Sequence, residues 1–157
     1  MRRKLAADFA VSIPPPPTDS GARKVTHADA EALSHLMLEA YRGTIDDGGE
    51  TLDDARAEVR KTLDGGYGAF DFDASELIER DLRVVAGTIV THYQGLPMIA
   101  FSLTLPEWRR QGLARAGLRR AMQRLAQAGH QRVQLAVTSG NTPAERLYES
   151  LGFGDAR

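Results

Sequence analysis

Apolar residues recur at helical spacing in four stretches of the chain and at strand spacing in four others. Leu33, Leu36, Met37 and Ala40 lie three and four residues apart, the period of a helix with one buried face. Thr26 opens that segment with Asp29 three residues later, a capping-box variant, and Tyr41, Arg42 and Gly43 close it. After the polar loop Asp46-Asp47-Gly48-Gly49-Glu50, Thr51 caps a second helix that runs to about Leu63 and stops at Gly65 and Gly66. Residues 75–79 and 82–93 read as two strands, with β-branched Val84, Val85, Ile89 and Val90 and a turn at Arg80-Asp81. Met98 to Thr104 is nearly all apolar, as in a strand covered on both faces. A long helix is predicted over Arg109 to Ala128, with Leu118, Ala121, Met122, Leu125 and Ala126 as its stripe and Gly129 as its stop. Val133, Leu135 and Val137 alternate with polar residues in a further strand, Arg132 to Thr138. Thr142 then caps a last helix, with Pro143 at its first position, Glu145 at the box position, Leu147 and Leu151 facing inward and Gly152 closing it. Helices, a strand hairpin, a strand, then strand–helix–strand–helix define an α/β fold class, α+β layered around a mixed sheet.

Composition narrows the function classes. The chain of 157 residues is long enough for one self-sufficient core, read as a single domain over residues 22–157 behind a lead-in over residues 1–21. Pro14 to Pro17 in that lead-in has the composition of a polyproline II segment. Met1-Arg2-Arg3-Lys4 resembles the start of a signal peptide, but Asp8 and the prolines cut short the apolar stretch behind it, so a cytoplasmic location is expected. There is no Cys, which excludes disulfides, thiolate metal sites and thiol catalysis. The four His residues lack ligand spacing, so no metal is expected. No apolar run is long enough to span a membrane. The excess of Arg over Lys, with abundant Ala, suggests a GC-rich bacterial genome.

A net charge of −1 conceals an asymmetry. Seven Arg and no acid fall between Arg109 and Arg132, whereas 15 acids and five bases fall between Asp29 and Asp81. The basic segment suits a phosphorylated ligand, and the acidic half suits a cationic one. Nucleic-acid binding is disfavoured by the acidic half, the few Lys and the lack of aromatics among the Arg residues.

The candidate chemistry begins at Leu103-Thr104-Leu105-Pro106-Glu107-Trp108-Arg109-Arg110-Gln111-Gly112-Leu113-Ala114. Here a buried strand gives way to a basic, Gly-containing loop and a helix N-terminus. Unpaired amides and the macrodipole favour an anion there, and Gly112 and Ala114 leave room for a phosphate. The loop lacks the Lys and Ser/Thr of a P-loop. A second segment, Asn141-Thr142-Pro143-Ala144-Glu145-Arg146-Leu147-Tyr148-Glu149-Ser150-Leu151-Gly152-Phe153, comes after one helix and one strand. Together the two segments resemble the GNAT superfamily of acyl-CoA-dependent N-acyltransferases. Arg109, Gly112 and Ala114 match its Gln/Arg-x-x-Gly-x-Gly/Ala pyrophosphate loop, and the second segment matches its later Asn-x-Pro-Ala-x-x-Leu-Tyr-x-x-Leu-Gly-Phe motif. The resemblance is strong over residues 98–153 and looser over residues 22–93.

That resemblance implies a mixed central sheet with helices on both faces, in which Met98–Thr104 and Arg132–Thr138 are parallel neighbours that splay apart around acetyl-CoA as cosubstrate. It places the pantetheine arm against Leu103, Thr104 and Leu105, and the pyrophosphate on the backbone of Arg110, Gln111, Gly112, Leu113, Ala114 and Arg115. Asn141 falls near the arm, with a turn or helix-cap role as the alternative. Tyr148 matches a position that serves as general acid toward the departing thiolate, with a half-buried core tyrosine as the alternative. The acceptor is then a small-molecule or peptide amine, without nucleic acid or membrane. Asp46, Asp47, Glu50 and His92 are the candidates for a general base, with Glu107 beside the loop. Leu105 is expected to place an apolar side chain near the mouth of the site. The family continues past its Leu-Gly-Phe into a final strand. Here only four residues come after Phe153, so that strand is expected to be very short or to be replaced by Phe9 to Ile13 or by a second subunit in a homodimer. The rival to an N-acetyltransferase is a non-catalytic acyl-CoA-binding module.

Overall fold

The computed structural model describes residues 1–9 and 18–156. Its first element is a strand that the hydrophobic pattern did not announce, β1 (Arg2–Asp8). Short β2 (Ala22–Lys24) leads through a 3₁₀ turn at His27–Asp29 into α1 (Ala30–Tyr41). Helix α2 (Leu52–Leu63) and two-residue β3 (Ala69–Phe70) come next, then a hairpin of β4 (Glu76–Arg80) and β5 (Arg83–Tyr93). Strand β6 (Leu96–Thr104) returns antiparallel to β5. A 3₁₀ turn at Pro106–Trp108 precedes α3 (Leu113–Gln127), β7 (Arg132–Thr138), α4 (Thr142–Ser150) and two-residue β8 (Gly154–Asp155). Among the described residues no helix is long and apolar enough to cross a membrane.

Local chemistry explains most boundaries. The capping box forms at the first helix, where the Thr26 amide donates to Asp29 Oδ2 at 2.7 Å. Thr51 caps α2 in the same way with Asp54. The β4–β5 turn falls one residue later than expected, at Asp81 and Leu82, with φ of +53° and +64°. Positive φ at both residues is the primed hairpin geometry, reached here without glycine. The long helix begins at Leu113 rather than Arg109, because Arg110 and Gly112 take φ of +63° and +76° and end regular helix before it. The last helix is capped by Asn141 rather than Thr142. Glu145 makes no capping box there; its carboxylate accepts from Arg3 at 3.1 Å.

The strands form one sheet in the order β2-β4-β5-β6-β7-β1-β8, with β3 beside β5. Helices cover both faces, as adjacent positions of β5 show. Gly87 faces Leu36 of α1, and Thr88 faces Gly117 of α3. One core lies under α1 and α2, with Leu33, Leu36, Val59, Leu77 and Ile89. The other lies under α3 and α4, with Leu118, Leu125, Val133, Leu135 and Phe153. A buried ion pair joins α3 to the sheet: Arg120 donates to Glu76 at 2.6 to 3.0 Å, and Glu76 is 1 % exposed.

Within the expected lead-in, Arg2–Asp8 is a strand of the sheet. β1 pairs antiparallel with β7 from Arg2↔Thr138 to Asp8↔Arg132, and β8 pairs on its far side at Leu5↔Asp155 and Ala6↔Gly154. Leu5, Ala6 and Ala7 are buried in the process. The final strand is very short, as one of the alternatives had it: β8 is two residues long and pairs with β1, which lies between it and β7. Residues 10–13 and the Pro14–Pro17 segment lie outside the described residues.

Parallel strands β6 and β7 pair at Met98↔Gln134 and Ile99↔Leu135 only. The register of β6 on β5 jumps there, since Ile89 faces Phe101 and Val90 faces Ile99, leaving Ala100 as an extra residue. A bulge bends its strand and sharpens its twist. It falls just where β6 leaves β7, and from Ala100 to Thr104 β6 stays on β5 and diverges from β7.

Candidate functional site

The divergence opens a cleft of about 870 Å³ between β6, the N-terminus of α3 and α4. Ala116 N–H makes the first helical bond of α3, to Gly112 O at 3.0 Å. The amides of Leu113, Ala114 and Arg115 therefore have no carbonyl within the helix to receive them. They sit at the positive end of a 15-residue helix, and Gly112, Leu113, Ala114 and Arg115 all line the cleft. A Cβ at Gly112 would meet nothing within 4 Å, so its requirement for glycine is the left-handed φ and not space. The arrangement is suited to an anion and faces an open strand edge.

The loop is braced by its own arginines. Arg109 Nη2 donates to Ala40 O at 2.7 Å, at the C-terminal end of α1. That end carries unpaired carbonyls and partial negative charge, so a guanidinium is favoured there. Arg115 Nη1 donates to Ser150 Oγ at 2.6 Å and ties α3 to α4. Neither bond was legible in the sequence, where Arg109 and Arg115 read as partners of a phosphate.

Of the predicted contact residues, Leu103, Thr104, Arg110, Gly112, Leu113, Ala114, Arg115 and Asn141 line the cleft, and Gln111 and Leu105 do not. The expectation for Leu105 is corrected: its side chain is 1 % exposed in the core, and its amide donates to Val85 O at 2.9 Å. It neither narrows the mouth nor offers its N–H to a ligand.

Tyr148 lines the cleft from α4 and packs edge-on to Phe153, with ring centroids 5.8 Å apart. Burial first, and then the Asp46 charge, push its phenol above its ordinary value, so it is protonated at neutral pH. Tyr41, read from the sequence only as the end of a helix, lines the same cleft. Its phenol is pushed up more strongly, again by burial and then Asp46.

Tyr41 also lines a second cavity of about 620 Å³ against α1, α2 and Phe101. The base candidates Asp46, Asp47 and Glu50 line this one. His92 lies elsewhere, with Nε2 2.7 Å from Asp71 and its ring 5.1 Å from that of His130. Glu107 is paired with Arg83 at 2.8 Å. The acidic loop thus lines one cavity and the basic loop the other, with Tyr41 lining both.

A mixed sheet that opens between two parallel strands, with a helix N-terminus at the opening, defines the acetyltransferase class of α/β fold. The acetyltransferase (GNAT) family model matches residues 31–153, and the chain belongs to that family. Solved structures agree at the level of fold. A GCN5-related N-acetyltransferase from Sphaerobacter thermophilus superposes with a TM-score of 0.76 at 20 % identity, over 99 % of this chain and 48 % of its own. The ribosomal-protein-S18-alanine N-acetyltransferase from Escherichia coli gives 0.69 at 21 % identity, over 87 % of this chain and 78 % of its own. The aminoglycoside N-acetyltransferase AAC(6')-Iy, solved in complex with CoA, gives 0.65 at 14 % identity, over 87 % and 88 %. The chain spans about half the length of the first of these. No curated protein matches it.

Proposed function

We propose that the protein is an acetyl-CoA-dependent N-acetyltransferase, transferring the acetyl group to a primary amine by direct attack in a ternary complex. The observation that carries this reading is one cleft combining an open β6 edge, three unpaired helix amides and a protonated phenol. In this reading the pyrophosphate rests on the amides of Leu113, Ala114 and Arg115. The pantetheine arm runs along Leu103 and Thr104, with Asn141 across from it. The amine, after its ammonium has lost a proton to solvent, bonds through nitrogen to the acyl carbon; the C–S bond breaks, the thiolate leaves toward Tyr148, and the second nitrogen proton passes to solvent as the amide forms. A phenol raised above its usual value is a weak proton donor to a thiolate, whose ordinary pKa is about 8.5. Tyr148 therefore acts chiefly by a hydrogen bond that strengthens as charge develops on sulfur, and solvent completes the protonation. Holding the two substrates in line supplies much of the remaining acceleration.

Calorimetric titration with acetyl-CoA, with ATP as control, tests the cofactor. Free-thiol release over a panel of amines then tests turnover. Tyr148→Phe is expected to lower kcat by about 10²-fold with CoA affinity unchanged; an equal rate where chemistry limits would remove Tyr148 from the mechanism. The second reading, a CoA-binding module without catalysis, is favoured by the lack of any carboxylate on β6. It predicts saturable CoA binding with no thiol release.

A further inference from the structure

Asp46 lines the second cavity, which shares Tyr41 with the cleft. Thr138 Oγ1, at the end of β7 that borders the divergence, donates to Asp46 Oδ1 at 2.5 Å. Across the strand pair, Thr138 is held in register with Arg2 of β1. The Asp46 charge reaches both Tyr41, which lines both cavities, and Tyr148 in the cleft. The other acids of the second cavity are engaged in local structure. Asp47 accepts from the amides of Gly43 and Gly49, Glu50 from Gly48, Asp54 caps α2, and Glu58 accepts from Tyr67. Among the described residues Thr138 Oγ1 is the one hydrogen-bond donor to the Asp46 carboxylate, and it engages Oδ1.

We propose that Asp46, oriented by Thr138, holds the ammonium of an aliphatic amine acceptor, whose chain lies against Met37, Leu38 and Phe101 of the second cavity. This rests on the reading of the cleft as an acyl-transfer site. A carboxylate with one oxygen held by a hydroxyl is suited to a single charge-assisted bond from an ammonium, the stronger class of hydrogen bond. It would seat the nitrogen in the cavity that shares Tyr41 with the cleft, and transfer follows once the ammonium has lost a proton to solvent. The cations lining this cavity, Arg2, Arg42 and Lys61, are outnumbered there by five carboxylates, so an approaching ammonium is favoured.

The test uses the full chain, isotope-labelled, titrated with n-butylammonium with and without CoA and monitored by amide chemical shifts. The expected result is saturable shifts at Asp46, Thr138 and Tyr148. Asp46→Asn, whose amide oxygen still accepts from Thr138, should bind about tenfold more weakly. Thr138→Val should show a smaller loss, while Glu50→Gln should change affinity by no more than about twofold. With an acceptor that turns over, Asp46→Asn should raise KM for the amine and leave CoA affinity unchanged. Three results overturn the proposal: no saturable shift in the parent protein, equal affinity in Asp46→Asn, or an equal loss in Glu50→Gln, which would mean diffuse acidic attraction. The CoA titration separates the two readings. Failure of CoA binding strikes the acyl-transfer reading, while the ammonium shifts still judge Asp46.

Discussion

Gly117→Ala sets helix propensity against packing, and the structure decides the sign. Glycine in a helix interior costs about 0.8–1 kcal/mol relative to alanine, so the substitution gains that much on propensity alone. A Cβ at position 117, however, would lie 2.6 Å from Thr88 Oγ1. Thr88 is 3 % exposed on β5 and β-branched, so its side chain has little freedom to retreat. Forcing a methyl into such a seat costs about 1–3 kcal/mol, and a contact this short belongs in the upper half of that range. The net expectation is a loss of about 1–2 kcal/mol. For a chain of this size that is a fall in Tm of about 2–8 °C. Urea unfolding monitored through Trp108, the single tryptophan, should show a lower midpoint with an unchanged m-value. In a Thr88→Ala background the obstruction is gone, and the same Gly117→Ala change should now stabilise by about 1 kcal/mol. A stabilising effect in the parent background, or the same sign in both, would refute the argument. So would unaltered stability alongside weakened CoA binding, since that would place the strain in the loop and not in the seat of α3.

Packing and charge give two further outcomes. Leu5→Ala, at a residue 2 % exposed on β1, should cost about 2–4 kcal/mol in urea unfolding. A change near zero would mean that β1 detaches before the rest unfolds. Asp29 accepts from Arg23 at 2.7 and 2.9 Å and from the Thr26 amide, and the guanidinium holds its carboxyl below the usual range. Arg80 does the same for Asp19. Because the folded-state values lie below the unfolded ones, this stability is fully present above the ordinary carboxylate value of about 4 and is lost as pH falls through the lowered values. Unfolding measured from pH 7 to pH 3 should show a decline confined to the acid end, and Asp29→Asn should flatten it. An undiminished acid decline in Asp29→Asn would take Asp29 out of it.

What was legible in the sequence was local. Period and caps placed α1, α2 and β4 to β7 within a few residues, because Thr26, Thr51 and the glycine stops act on their own neighbours. The loop leading into α3 was legible from Gly112 and Ala114 for the same reason. The misses are non-local. Strand β1 carries only Leu5, Ala6 and Ala7 as apolar signal between charged residues, and its burial depends on a partner at the other end of the chain. The bulge at Ala100 depends on registers with two strands at once, so the cause of the cleft was invisible even where the cleft was expected. Arg109 matched a motif, but its head group lies on a helix end far away in sequence. Leu105 was one residue too far along the strand to face the cleft, a distinction that only the turn at Pro106 settles.

The pairing of β1 with β7 also sets an order of events at the ribosome. Arg2 and Ala136, bonded in the folded protein, are 134 positions apart. At roughly 5–20 residues per second, the first strand emerges on the order of 10 s before its partner exists. Through that interval β1 is an unclaimed strand, and Arg2, Arg3, Lys4 and Asp8 are the charges that keep such a segment from pairing with the wrong edge. The half of the sheet under α4 cannot close until β7 has left the ribosome. This half of the sheet therefore waits, strand in hand, for a partner more than a hundred residues further along the chain.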